Sequence, residues 1–168
     1  MAVLQTLEVT TEAPAFGEFF AEHYGRLARA CLLLTGNAAE CEDLAQEAMA
    51  RVLERWDRVS GMEDPGGYLY RTALNLHRNA VRRLSVAARR QLRRVDAEEP
   101  DAADRRLDLR RAIRSLPRGQ REALVLVDWL GYSTSEAAEL LGIEPSSVRG
   151  RLHRARASLR ARYGGPDG

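Results

Sequence analysis

Arginine is the residue type in this chain whose spacing could do chemistry, and it falls into two helical rows. Arg149, His153, Arg156 and Arg160 recur at steps of four, three and four, one face of a helix, with Arg151, Arg154 and Arg162 flanking them. A guanidinium keeps its charge at any physiological pH and presents a planar fork of donors that suits phosphate oxygens and the guanine edge. A helix bearing such a row fits a major groove about 12 Å wide, with N-terminal side chains at base edges and later arginines on phosphates. Here the N-terminal side chains are Ser146 and Ser147. Earlier in the chain Arg71, Asn75, Arg78 and Arg82 repeat the same steps, with Asn79 and Arg83 beside them and Tyr68 and Tyr70 near the start of the row. Amide and guanidinium groups grip or read nucleic acid, and aromatic faces stack on bases drawn out of a duplex. For at least one of the two tyrosines, a place in the core is the competing reading.

Both rows require helices with defined starts and stops. Ser133 and Glu136 have capping-box spacing, and Gly142 stops the helix they begin. Ile143 and Glu144 make a turn, Pro145 pre-sets the backbone for a new helix, and Val148, Leu152, Ala155 and Leu159 give that helix its apolar stripe. The stretch from Leu116 to Arg162 therefore reads as a helix-turn-helix. Upstream, Phe16, Phe19 or Phe20, Tyr24, Leu27, Cys31 and Leu34 mark a first helix ended by Gly36. Asn37 with Glu40 caps a second, with Cys41, Leu44, Ala45, Ala48, Val52, Leu53 and Trp56 inward and Glu40, Asp43, Gln46, Glu47 and Glu54 outward. Asp64 and Pro65 open a third, in which Leu69, Ala73, Leu76 and Ala80 face inward beneath the Arg71 row.

The net charge of +2 conceals a strong segregation along the 168 residues. Residues 1–65 set 5 arginines against 12 acids, whereas residues 66–95 hold 8 arginines and no acid. Residues 96–108 return to 6 acids against 2 arginines, and residues 145–168 carry 6 arginines and 1 acid. Two basic blocks divided by an acidic spacer suggest two contacts with nucleic acid, since each neutralised phosphate releases counterions. No stretch approaches 18 uncharged apolar residues, so no membrane insertion and a cytoplasmic location are expected. No useful length alternates with period two. The fold class expected is all-α, as two small helical domains joined by a flexible acidic linker: tail 1–14, domain 15–84, linker 85–107, domain 108–163 and tail 164–168.

The segments AECEDLAQEAMARVLERWDRV and DPGGYLYRTALNLHRNAVRR resemble region two of the extracytoplasmic-function (group IV) RNA polymerase sigma factors. SLPRGQREALVLVDWLGYSTSEAAELLGIEPSSVRGRLHRARASLR resembles their region four, and the overall pattern is similar to the small actinobacterial SigE-like group. The resemblance implies a promoter-specificity subunit for core RNA polymerase, with no active site of its own. It implies that Asp43, Gln46 and Glu47 dock on the clamp helices of the largest polymerase subunit, and that region four meets the flap of the second largest. It points to Asn75, with Tyr68, Tyr70, Arg71, Arg78, Asn79 and Arg82, for the −10 element. For the −35 element it points to Ser146, Ser147, Arg149, Arg151, His153, Arg154 and Arg156. An anti-sigma factor is implied as a further partner. The chain departs from the family pattern at Gly150, where a small polar side chain is frequent, and at Tyr68, where tryptophan is frequent. The acidic run Asp96–Asp108 falls in a linker that crosses the RNA-exit path in the family, which implies either carboxylates that imitate RNA phosphates or a disordered tether with no such role.

No cofactor and no metal are expected. Cys31 and Cys41 fall on apolar stripes and two thiols do not make a four-ligand zinc pattern, while His77 and His153 lack the nucleophile and carboxylate of a hydrolase. The alternative function is a one-component regulator that binds a palindromic operator without polymerase.

Overall fold

The structure is a computed structural model that describes residues 15–90 and 105–163. The expected tails, and the acidic run up to Asp104, lie outside the described residues. Among the described residues every regular element is helical: α1 (Phe16–Thr35), α2 (Ala38–Leu53), α3 (Trp56–Val59), α4 (Pro65–Arg90), α5 (Arg105–Ser115), α6 (Arg118–Leu124), a π-helical turn (Val125–Trp129), α7 (Thr134–Leu141) and α8 (Pro145–Tyr163).

Local chemistry sets most of these boundaries. Gly36 ends α1 in the left-handed region at φ 72°, and its N–H donates to the Leu32 carbonyl. The Asn37 side chain then accepts from the Glu40 N–H at 3.0 Å and starts α2. The resulting helical hairpin buries Leu27, Cys31 and Leu34 against Ala45, Ala48 and Val52, and α4 adds Leu69, Ala73 and Leu76. Of the positions expected inward on α2, Leu53 faces solvent and Trp56 is half-buried against the core. Leu53 is 52% exposed because α2 ends there, and Trp56 begins α3 and turns its ring onto Phe16 and Phe19 at 5.4 and 4.9 Å. Ala80 is exposed because α4 outruns the bundle, leaving every side chain from Asn79 to Ser85 in solvent. That helix also continues to Arg90, beyond the expected domain end at residue 84.

In the C-terminal half the capping box at α7 forms in full: the Glu136 N–H donates to Ser133 Oγ at 3.2 Å, and the Ser133 N–H donates to Glu136 Oε2 at 2.7 Å. Val148, Leu152 and Ala155 bury one stripe of α8. The π-helical turn, closed by the Leu130 N–H on the Val125 carbonyl, has no counterpart in the sequence reading.

The two halves pack against each other. Leu27 and Leu74 meet Val125, Leu126 and Leu130 across an apolar seam, and Tyr70 sits edge-on to Tyr132 with ring centres 6.0 Å apart. Approach is close enough at Gly36 that a Cβ there would lie 2.5 Å from Cδ of Arg114.

Candidate nucleic-acid interface

The face of α8 away from the buried stripe carries the basic row. Ser146, Ser147, Arg149, His153, Arg154, Arg156 and Arg160 are all exposed. Arg156 is held by Asp128, which accepts from its Nε at 3.0 Å and from Nη2 through the other carboxylate oxygen. That pairing raises the pKa of Arg156 above its ordinary value, so the charge at this position is fixed. Arg151 departs from the row. It is half-buried, its guanidinium lies over Gly119, and it lines a cleft with Arg78, Arg118 and Glu122.

On α4 the row divides. Asn75, Asn79 and Arg82 are exposed, and Tyr68 is half-buried with its hydroxyl accepting from Arg55 at 3.0 Å. Tyr70 does not join them. It is only 4% exposed, because its position shares the inward face with Ala73, Leu74 and His77, and burial pushes its hydroxyl pKa up. In this arrangement it is a core residue and not a surface for bases. Arg71 donates to the Glu139 carbonyl at 2.8 Å, and Arg78 donates through Nε and Nη2 to both oxygens of Glu122 at 3.0 and 2.8 Å.

The acidic face of α2 is open. Asp43, Gln46 and Glu47 are exposed, with Gln46 donating to Glu42 at 3.2 Å and Glu47 paired to Arg51 at 2.8 Å. Beside it, Phe16, Phe20, Tyr24, Met49 and Leu53 line an apolar groove that the sequence reading missed by placing Leu53 in the core. Asp128 and Glu122 were missed as well. Each acts on an arginine far away in sequence, and no local pattern signals such a pair.

Cys31 is buried and its thiol pushed up to about 12 by burial, then by Cys41. Both cysteines are free thiols. No helix among the described residues is long and apolar enough to cross a membrane.

Residues 19–87 match the family described as Sigma-70 region 2, and residues 106–159 match Sigma-70, region 4. The RNA polymerase sigma-E factor of Streptomyces avermitilis is 32% identical over 153 residues, which span 89% of this chain and 85% of that protein. The chain belongs to the extracytoplasmic-function RNA polymerase sigma factors. Among this sigma factor's relatives, the ECF RNA polymerase sigma factor SigE of Mycolicibacterium smegmatis is 36% identical over 160 residues, 88% of this chain and 61% of the longer relative. The fold is shared with the sigma factor RpoE of Bartonella quintana, solved in complex with the anti-sigma factor NepR. That match has a TM-score of 0.76 at 20% identity and covers 87% of this chain and 94% of that one. CnrH, solved with the cytosolic domain of CnrY, matches at a TM-score of 0.62 and 25% identity over 90% and 89% of the two chains. In this sigma factor the basic row of α4 lies within the region 2 match, and that of α8, from Arg149 to Arg156, lies within the region 4 match. A regulator acting without polymerase would account for the second match and leave the first without a purpose.

Proposed function

We propose that this sigma factor binds core RNA polymerase through Asp43, Gln46 and Glu47 and through a contact between region 4 and the flap, and directs it to promoters with two elements. The α8 residues Ser146, Ser147, Arg149, His153, Arg154 and Arg156 take the −35 duplex, with Arg151 at the edge of the face. Asn75, Asn79 and Arg82, with Arg71, Arg78 and Tyr68, take the −10 strand. One helix binds a closed groove while the other holds unpaired bases, so the binding energy of the second contact becomes available only as the duplex opens, which favours the open promoter. The polymerase performs the chemistry, in the cytoplasm at the nucleoid. An anti-sigma factor is proposed as the regulatory partner, by analogy with the complex in which the Bartonella quintana relative was solved.

The observation that carries this reading is the pair of basic helical rows, on α4 and α8, within one chain that matches both sigma regions. Its test is transcription from genomic DNA by core polymerase with and without the purified chain, with start sites mapped for shared upstream elements. Run-off products that depend on the chain support the proposal, and specific binding to DNA with no effect on polymerase contradicts it.

A further inference from the structure

Arg78, Arg118 and Arg151 line one cleft of about 510 Å³ between α4, α6 and α8, and Glu122 is the only acid that answers them there. Both of its oxygens are already taken, since they accept from Nε and Nη2 of Arg78 at 3.0 and 2.8 Å. Arg118 reaches the same carboxylate only at 3.6 Å. Arg151 has no hydrogen bond or ion pair among the described residues. It is half-buried all the same, whereas the other arginines of α8 are exposed. A guanidinium that gives up water without gaining a partner is one that an external anion would complete.

Gly119 makes the seat for it. The glycine sits in α6 without a positive φ, so its backbone does not require a missing side chain, and glycine weakens a helix relative to alanine. What the missing side chain provides is room, because a Cβ at this position would lie 2.9 Å from Nη1 of Arg151. The guanidinium occupies that space, which takes it off the exposed face of α8 and into the cleft. The remaining lining, from Val81, Leu141 and Ile143, is apolar.

We propose that this cleft binds a phosphate-bearing anion of the pyrophosphate or nucleoside diphosphate class, held by Arg118 and Arg151, with any organic part against the apolar lining. Planar guanidinium forks match phosphate oxygens, and two uncompensated positive charges match a dianionic group. The volume falls among small-molecule sites, roughly 300–1,000 Å³. A DNA backbone at the edge of the α8 face would offer the same chemistry, so the test separates the two sources. The inference goes beyond the promoter contacts, although it shares Arg78 and Arg151 with them.

The full chain is titrated calorimetrically with inorganic pyrophosphate and with ADP at constant ionic strength. Pyrophosphate should bind at a single site, and ADP should bind more tightly by about threefold or more as its base buries apolar surface. Arg118→Gln and Arg151→Gln should each weaken pyrophosphate binding by about fivefold or more, the loss of a charge-assisted contact. Gly119→Leu should do the same without changing a charge, by filling the seat of Arg151. Arg58→Gln, at an exposed position on α3, should leave affinity unchanged. Should Arg118→Gln lose helix content by circular dichroism, Val81→Glu sets a like charge against the anion from a partly exposed position and should weaken it equally. No saturable pyrophosphate binding, or equal affinity in the wild type and every folded cleft variant, would overturn the proposal. An affinity for ADP no greater than for pyrophosphate would overturn the role of the apolar lining. Fluorescence anisotropy with duplex DNA identifies the source. Gly119→Leu that weakens duplex binding in step with pyrophosphate assigns the phosphate to DNA, and unchanged duplex binding assigns it to a free anion. Neither titration contains polymerase, so a failure here leaves the sigma-factor reading standing.

Discussion

Asp128, on the π-helical turn, clasps Arg156 of α8 across 28 residues of sequence, with both carboxylate oxygens accepting from the guanidinium. The pair is about half exposed on the arginine side, so its worth to the fold is small. Its effect is orientation, since a two-point grip fixes where the guanidinium sits on the exposed face. Asp128→Asn should shift the unfolding free energy by less than about 1 kcal/mol in a denaturant titration. Arg156→Ala should weaken duplex binding alike for all sequences and lower the salt slope by about 0.9, the signature of one lost phosphate contact. A change in sequence preference on Arg156→Ala would place this residue at a base edge instead.

The presentation of α8 depends on the helix before it. Ser133 and Glu136 satisfy each other's backbone N–H groups at the start of α7, which fixes where that helix begins. Ser133→Ala should cost about 1 kcal/mol by thermal or chemical unfolding. Loss of much less would mean that packing of Ala137, Ala138 and Leu141 alone fixes this helix.

Much of this architecture could be read from spacing, and the failures have a common cause. Asn37 with Glu40, Ser133 with Glu136, Gly36 and Gly142 act through neighbours three or four residues away, so local sequence determines them. The 3.6-residue period identifies the apolar face of α4 but not the surface that covers it, and Tyr70 was therefore left open between bases and core. Tyr132, 62 positions later, decides it. Arg78 and Glu122 are 44 residues apart, and a sequence row of cations does not record which of them a distant acid has claimed. Leu53 failed for a different reason, because α2 stops there and leaves it 52% exposed.

His77 gives the fold a pH dependence. It is 8% exposed, and burial lowers its pKa below the ordinary value, with Arg121 adding to the shift and Glu122 opposing it. The folded chain thus holds this imidazole neutral, while the unfolded chain binds a proton near pH 6.5. Its contribution to stability is complete above about pH 6.5 and is lost as pH falls through the lower, folded value. Melting temperature should decline as pH falls below about 6.5, and His77→Asn should flatten that part of the profile. An unchanged slope in the variant would assign the dependence to another group.

Asp43 and Glu47 are exposed, and Glu47 pairs with Arg51 on the same helix, so reversing the two acids spares the core. Asp43→Arg combined with Glu47→Arg should leave the melting temperature within a few degrees of the wild type. The same change should weaken affinity for core polymerase by tenfold or more in a titration calorimeter, because like charges then face each other across the contact. Equal affinity would move the polymerase contact elsewhere on the domain.

The most direct test of a two-point adaptor is single-round transcription by core polymerase on one mapped promoter, comparing wild type, Asn75→Ala and Arg149→Ala. Both substitutions are at exposed positions on separate helices. Loss with Asn75→Ala that is relieved on a template already unpaired at −10, together with loss with Arg149→Ala that is not, is the predicted result. Two variants that transcribe as well as the wild type on the closed promoter would contradict the account.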